Sequence, residues 1–149
     1  MFIDPQNNIK QFNLSPGMKV ADVGAGSGFN SFAAAKEVGE KGIIYAIDIQ
    51  KDLLSKIKNE SRKRNIFNIE IIWGDAEKEN GTRLGNESVD AVIVSNLFFQ
   101  IEKKDDFLKE IFRILKSNGK LFFLTGVILL VALVHQKKVL YQKKKQKNF

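Results

Sequence analysis

Short apolar runs rich in β-branched residues alternate along this chain with stretches whose apolar positions recur at helical spacing. A short leading helix is predicted over Asp4 to Phe12, and Ser15-Pro16-Gly17 is a turn. Lys19 to Val23 reads as a first strand that runs directly into glycines. From about Asn30 to Val38 a helix follows, and its Ala33, Ala34 and Ala35 are small enough to lie close on a sheet. Gly42 to Ile49 is a second strand. Asp52 to Arg64 is an amphipathic helix, with Leu53, Leu54 and Ile57 on one face and lysines and arginines on the other. Ile69 to Trp73 is a third strand, Glu77 to Ser88 a polar loop, and Val89 to Val94 a fourth strand. Asp105 to Leu115 is a helix with the apolar set Phe107, Leu108, Ile111, Phe112 and Leu115. The turn Ser117-Asn118-Gly119 then leads into a fifth strand, Lys120 to Leu124. This alternation predicts an α/β fold whose mainly parallel sheet is flanked by helices.

The chain has 149 residues, enough for one domain with its own core. It has no cysteine, which excludes disulfides and thiolate metal sites, and its single histidine, His135, excludes a histidine-cluster metal centre. The start, Met1 to Pro5, lacks the basic residues and apolar run of a secretory signal, so a cytoplasmic protein is expected. The net charge of +7 suggests a nucleic-acid or membrane partner until its distribution is read. Gly126 to Phe149 carries six lysines and no acid, and setting those aside leaves +1 of the +7. The basic character belongs to the tail.

The candidate chemistry starts where the first strand ends. Val20-Ala21-Asp22-Val23-Gly24-Ala25-Gly26-Ser27-Gly28 is a strand, a glycine loop and the entry to a helix. Glycines there let the backbone turn sharply and approach a ligand, and the helix N-terminus offers free N–H groups. A tight turn of any α/β protein is the plainer alternative. A dinucleotide fingerprint, G-x-G-x-x-G, would need its third glycine at position 29, which is Phe29. The chain instead has G-x-G-x-G with an acid, Asp22, two residues before it.

Two further acids close strands. Asp48 ends the second strand, where a carboxylate can accept both hydroxyls of a ribose; a solvated acid capping the next helix is the alternative. Asp75, in Trp73-Gly74-Asp75-Ala76, ends the third strand and could equally be a turn aspartate. The glycine loop, Asp48 and Asp75 occur in order, each at a C-terminal strand end, where the ligand crevice of an open α/β sheet lies.

This set resembles the motifs of class I S-adenosylmethionine-dependent methyltransferases, and is most similar to small prokaryotic relatives of the quinone-biosynthesis methyltransferases. The resemblance covers roughly residues 2 to 124. It implies a Rossmann-like fold and S-adenosyl-L-methionine as cofactor. It assigns Asp22 to the methionine end and runs the backbone of Gly24, Ala25, Gly26, Ser27 and Gly28 beside methionine and ribose. It places Asp48, with Ile49 beside it, at the ribose, and Asp75 and Ala76 at the adenine. Val89 to Gln100 resembles the fourth-strand motif, which puts Asn96 and Leu97 near the methyl group and Phe98 and Phe99 on the substrate side, unless the phenylalanines are ordinary core. Arg113 to Gly119 resembles the family's Arg-x-Leu-Lys-Pro-Gly-Gly turn, with Ser117 and Asn118 replacing the proline and first glycine. No residue stands out as a general base, and the catalytic residues stay open.

Beyond residue 124 the resemblance stops. The family continues with a helix and two antiparallel strands, whereas this chain continues with an aliphatic run, Val127 to Val134, and a lysine-rich end. Reading the codons one base earlier permits the string Asp-Trp-Ser-Asp-Ser-Phe-Gly-Gly-Ile-Gly-Pro, which resembles the relatives' continuation. The expectation is therefore a cofactor-binding domain over 1–125 and an atypical, frameshifted or truncated tail over 126–149, with the family's last two strands missing and the lysine end disordered. The methyl acceptor is expected to be a small molecule. The alternatives are a nicotinamide-dependent oxidoreductase, disfavoured by Phe29, and a non-enzymatic protein whose lysines hold a nucleic acid or a membrane surface.

Overall fold

A computed structural model describes the backbone of residues 5–95, 100–125, 128–135 and 138–145, and side chains over residues 8–95 and 100–124. Four helices, α1 (Pro5–Lys10), α2 (Phe29–Val38), α3 (Lys51–Lys63) and α4 (Lys104–Ile114), accompany seven strands among the described residues. The strands are β1 (Lys19–Val23), β2 (Ile43–Asp48), β3 (Ile69–Trp73), β4 (Val89–Ser95), β5 (Leu115–Thr125), β6 (Ile128–His135) and β7 (Lys138–Lys145). They form one sheet in the order β3-β2-β1-β4-β5-β6-β7. The first five are parallel, as the alternation of strands and helices predicts. The chain order reverses direction between β1 and β4, and a ligand crevice belongs at the C-terminal ends of those strands.

The central strands are buried on both faces, so successive residues serve opposite layers. Val20 packs with α1 and α2, together with Ala34, Val38, Ile44, Ile93 and Phe122. Ala21 and Val23 pack on the α4 side with Val92, Val94, Phe107, Ile111 and Leu121. The three alanines of α2 are buried against the sheet. On the same face the Phe12 ring stacks on Phe122 with centroids 4.1 Å apart. α3 buries Leu54 and Ile57, while Leu53, expected on the same face, is only half buried.

The turn predicted at 117–119 lies inside β5. There the register with β4 shifts between Val89↔Leu115 and Ala91↔Lys120, so residues 116–119 bulge out of the ladder. Asn118 takes φ +67°, the left-handed geometry expected of it.

The tail differs from expectation. Residues 128–135 pair antiparallel with β5, and residues 138–145 pair antiparallel with β6, so the lysine-rich end is in a strand up to Lys145. The edge of β5 is therefore covered. Its physical basis is local: the outer edge of β5 offers a row of N–H and C=O groups, and the aliphatic run after it, with Ile128, Val131 and Val134, suits a strand. The helix that the resemblance implies before these strands has no counterpart, because only residues 126 and 127 separate β5 from β6. No helix among the described residues is long and apolar enough to cross a membrane.

Candidate functional site

β1 delivers Asp22 to the α2 side of the sheet, where it is 1% exposed. Ser31, in the first turn of α2, is fully buried and donates its hydroxyl to Asp22 Oδ2 at 2.7 Å. Oδ1 has no hydrogen-bond partner among the described residues. Burial pushes the Asp22 carboxyl up to about 6; Ser31 opposes this and the charge of Asp48 adds to it. An ionisable group held dry and half-satisfied costs stability, which makes Asp22 a candidate position for a ligand.

The glycine loop is stapled to the neighbouring strand: the N–H groups of Gly24 and Ala25 both donate to the Ile47 carbonyl, at 2.8 and 3.0 Å. Gly24, Gly26 and Gly28 all have positive φ, of 73°, 56° and 87°. For Gly28 a side chain would also collide, since a Cβ would sit 2.8 Å from Ile57 Cγ1. Gly28 thus lets α2 start tight against α3. Replacing Gly28 with alanine should cost about 2–4 kcal/mol, checked by denaturant titration.

Asp48 closes β2 and is 8% exposed. Its Oδ2 accepts the Gly26 N–H at 3.0 Å and its Oδ1 the Gln50 N–H at 2.9 Å. One lone pair on each oxygen stays open, enough for a pair of vicinal hydroxyls. Asp75 Oδ1 accepts the Glu77 N–H at 3.0 Å in the turn after β3.

These elements enclose a cavity of about 330 Å³, a volume suited to a small organic ligand. It gathers Gly24, Gly26, Asp48, Ile49, Asp75 and Ala76 from the sequence-predicted set. Asp22 lies behind the loop, and Ala25, Ser27 and Gly28 do not line the cavity. Asn96, Leu97, Phe98 and Phe99 lie outside the described residues, but their neighbours Ser95 and Gln100 line it. Leu53, Glu77 and Phe107 line it as well, though sequence patterns gave them no role there. Glu77 Oε1 accepts the N–H groups of Glu102 and Lys103 at 2.9 and 2.8 Å, tying the approach to α4 against the β3 turn. In sequence it is one acid of a polar loop, and the helix approach it holds lies some twenty-five residues away. Trp73, the chain's single tryptophan, is half exposed near the rim; its indole donates to the Ile49 carbonyl at 3.0 Å, and Lys51 Nζ lies 4.0 Å from the ring centroid. A larger open groove of about 830 Å³ runs along α2 and residues 64–68, away from the strand ends. Phe29, where the dinucleotide fingerprint would need glycine, lies in that groove.

A family pattern described as a methyltransferase domain matches residues 14–148. The chain belongs to this methyltransferase domain family. The methyltransferase domain is 33% identical over 116 residues to a ubiquinone/menaquinone biosynthesis C-methyltransferase of Wigglesworthia glossinidia brevipalpis, covering 75% of this chain and 44% of that one. It is 29% identical over 107 residues to an arsenite methyltransferase of Halobacterium salinarum, covering 72% and 27%. A solved SAM-dependent methyltransferase from Aquifex aeolicus superposes with a TM-score of 0.73 at 32% identity, covering 80% of this chain and 62% of that one. The alignments span between 27% and 48% of the first curated relatives' lengths. The sheet, its flanking helices and the order of the glycine loop and acids agree with the fold the resemblance implies.

Proposed function

We propose that this domain binds S-adenosyl-L-methionine in the cavity above β1, β2 and β3 and transfers its methyl group to a small-molecule acceptor. The observation that carries the reading is the buried Asp22 carboxylate with one unpartnered oxygen, behind a positive-φ glycine loop that Asp48 braces. The residues fit such a cofactor. Asp48 has open lone pairs for ribose hydroxyls, Ile49 and Ala76 supply apolar surface for a flat ring, and Asp75 offers an acceptor for an amino group. Asp22 answers a cationic amino acid end. When bound, the sulfonium supplies an activated methyl group and a good leaving group. The protein's own task is to hold cofactor and acceptor in line and keep water out. Asn96 and Leu97 keep the role near the methyl group that the resemblance implies. We place the protein in the cytoplasm and assign every residue of the site to 1–125.

Isothermal titration with S-adenosylhomocysteine, NADH and an oligonucleotide tests this. Micromolar binding of the first alone is expected. Asp48→Ala should raise that dissociation constant at least tenfold, since each charge-assisted hydrogen bond lost costs roughly 1.5–3 kcal/mol. NADH binding without a response to S-adenosylhomocysteine would overturn the reading.

A further inference from the structure

α2 opens with a buried hydroxyl that its packing does not require. Residues 33–35 show that alanine suffices for close approach to the sheet, and Ser31 is fully buried on the same helix. A buried hydroxyl without a partner costs stability, and in a helix it usually turns back to the carbonyl four residues earlier. Ser31 instead reaches across to β1 and donates to Asp22 Oδ2 at 2.7 Å. Among the described residues no cation lies within ion-pair distance of Asp22. In the sheet its register partners are Ala46 and Ile93, both apolar, and the charged group that acts on it is Asp48.

We infer that Ser31 is a positioning residue for the cofactor: its hydroxyl engages Asp22 Oδ2 and leaves Oδ1 as the acceptor for the cofactor's ammonium group. This rests on the cofactor reading above. The hydroxyl has two effects through Asp22. It fixes the carboxylate's rotation, and it favours the ionised form, which is the form that attracts a cation. With Ser31 in place burial still raises Asp22 to about 6. Binding a cation beside Asp22 therefore requires release of a proton below that pH, and affinity falls about tenfold for each unit further down.

S-adenosylhomocysteine affinity measured from pH 5 to 8.5, read by calorimetry or Trp73 fluorescence, tests the role. Wild type is expected to bind evenly above pH 7 and to weaken below about 6. Ser31→Ala should move that breakpoint up by about one unit, the strength of one hydrogen bond to a charged group. Its affinity would then drop about fivefold at pH 6, about tenfold at pH 5 and little at pH 8.5. Ser31→Thr keeps the hydroxyl and should keep the wild-type breakpoint. A uniform loss at every pH in Ser31→Ala, a breakpoint moved equally in Ser31→Thr, or a flat wild-type profile overturns the role; if Ser31→Ala does not fold, the other two proteins decide. A wild type that binds no S-adenosylhomocysteine at any pH overturns the cofactor reading itself.

Discussion

Replacing Glu110 with alanine is expected to cost this domain about 3 kcal/mol, because it strips the partners from a buried charge network. Glu110 lies on α4 and is only 2% exposed. Its Oε1 accepts Arg113 Nε at 2.7 Å and the Asn80 N–H at 3.1 Å, and its Oε2 accepts the Thr82 hydroxyl at 2.7 Å and N–H at 3.1 Å. Arg113 passes the connection on to the Leu84 carbonyl and Asn86. One carboxylate thus orders the long loop between β3 and β4, whose first residues line the cavity. Burial pushes its carboxyl upward, but the hydrogen bonds from Arg113 and Thr82 and the charge of Arg113 outweigh that and hold it at about 2. The folded value lies below the unfolded one of 4.5. The stabilisation is therefore complete above about pH 4.5 and is lost as pH falls through 2. Urea titrations at pH 7 and pH 3 check both statements. Glu110→Ala should unfold at lower urea at pH 7, and the gap between wild type and Glu110→Gln should narrow at pH 3. Equal midpoints at pH 7 would show that the network contributes nothing.

Glu110 also shows where the sequence is opaque. Periodicity places it on the polar side of α4, and Thr82 in a polar loop, because pattern reading ranks residues by type and not by what they meet. Both are buried, through contacts some thirty residues apart in sequence. The parallel strands were legible for the opposite reason. Their apolar runs are short, flanked by glycines and acids, and followed by helices with one apolar face. The geometry of the candidate site was legible where backbone constraint shows in residue type: Gly24, Gly26 and Gly28 take positive φ, and Asp48 caps a strand end. Leu53 and Phe107 were readable as helix positions but not as cavity walls, because which end of a helix faces the crevice depends on crossing geometry. The tail misled for a local reason. A run of Ile, Leu and Val after a strand suits a membrane surface, a helix or another strand alike, and only the free edge of β5 selects the last.

Acidification should stabilise the ligand-free domain before it destabilises it, and Asp22 is the cause. Its folded carboxyl titrates near 6 against 3.8 when unfolded. Between those values the folded state holds a proton that the unfolded chain has lost, so stability falls as pH rises through the interval and levels off above it. The full difference is about 3 kcal/mol, and moving from pH 7 to pH 5 recovers about 1.4 kcal/mol of it. For a chain of this length that is roughly 3–6 °C in melting temperature. Carboxylates held low, such as Glu110, lose nothing until the pH is lower still. Asp22→Asn removes the titration, so its melting temperature should lack this rise. On the proposed reading the same substitution should weaken S-adenosylhomocysteine binding ten- to a hundredfold at pH 7.5, because the ammonium group would lose its charged acceptor. On the proposed reading Asp22 is ionised and paired with the ligand bound, as it is ionised in the unfolded chain above 3.8, so the rise toward pH 5 should disappear and the saturated wild type should melt alike at pH 7 and pH 5. Thermal melts of wild type and Asp22→Asn at the two pH values, with and without ligand, separate these effects. If wild type and Asp22→Asn respond alike to pH in the absence of ligand, Asp22 is already satisfied in the fold and is not the group kept ready for the cofactor.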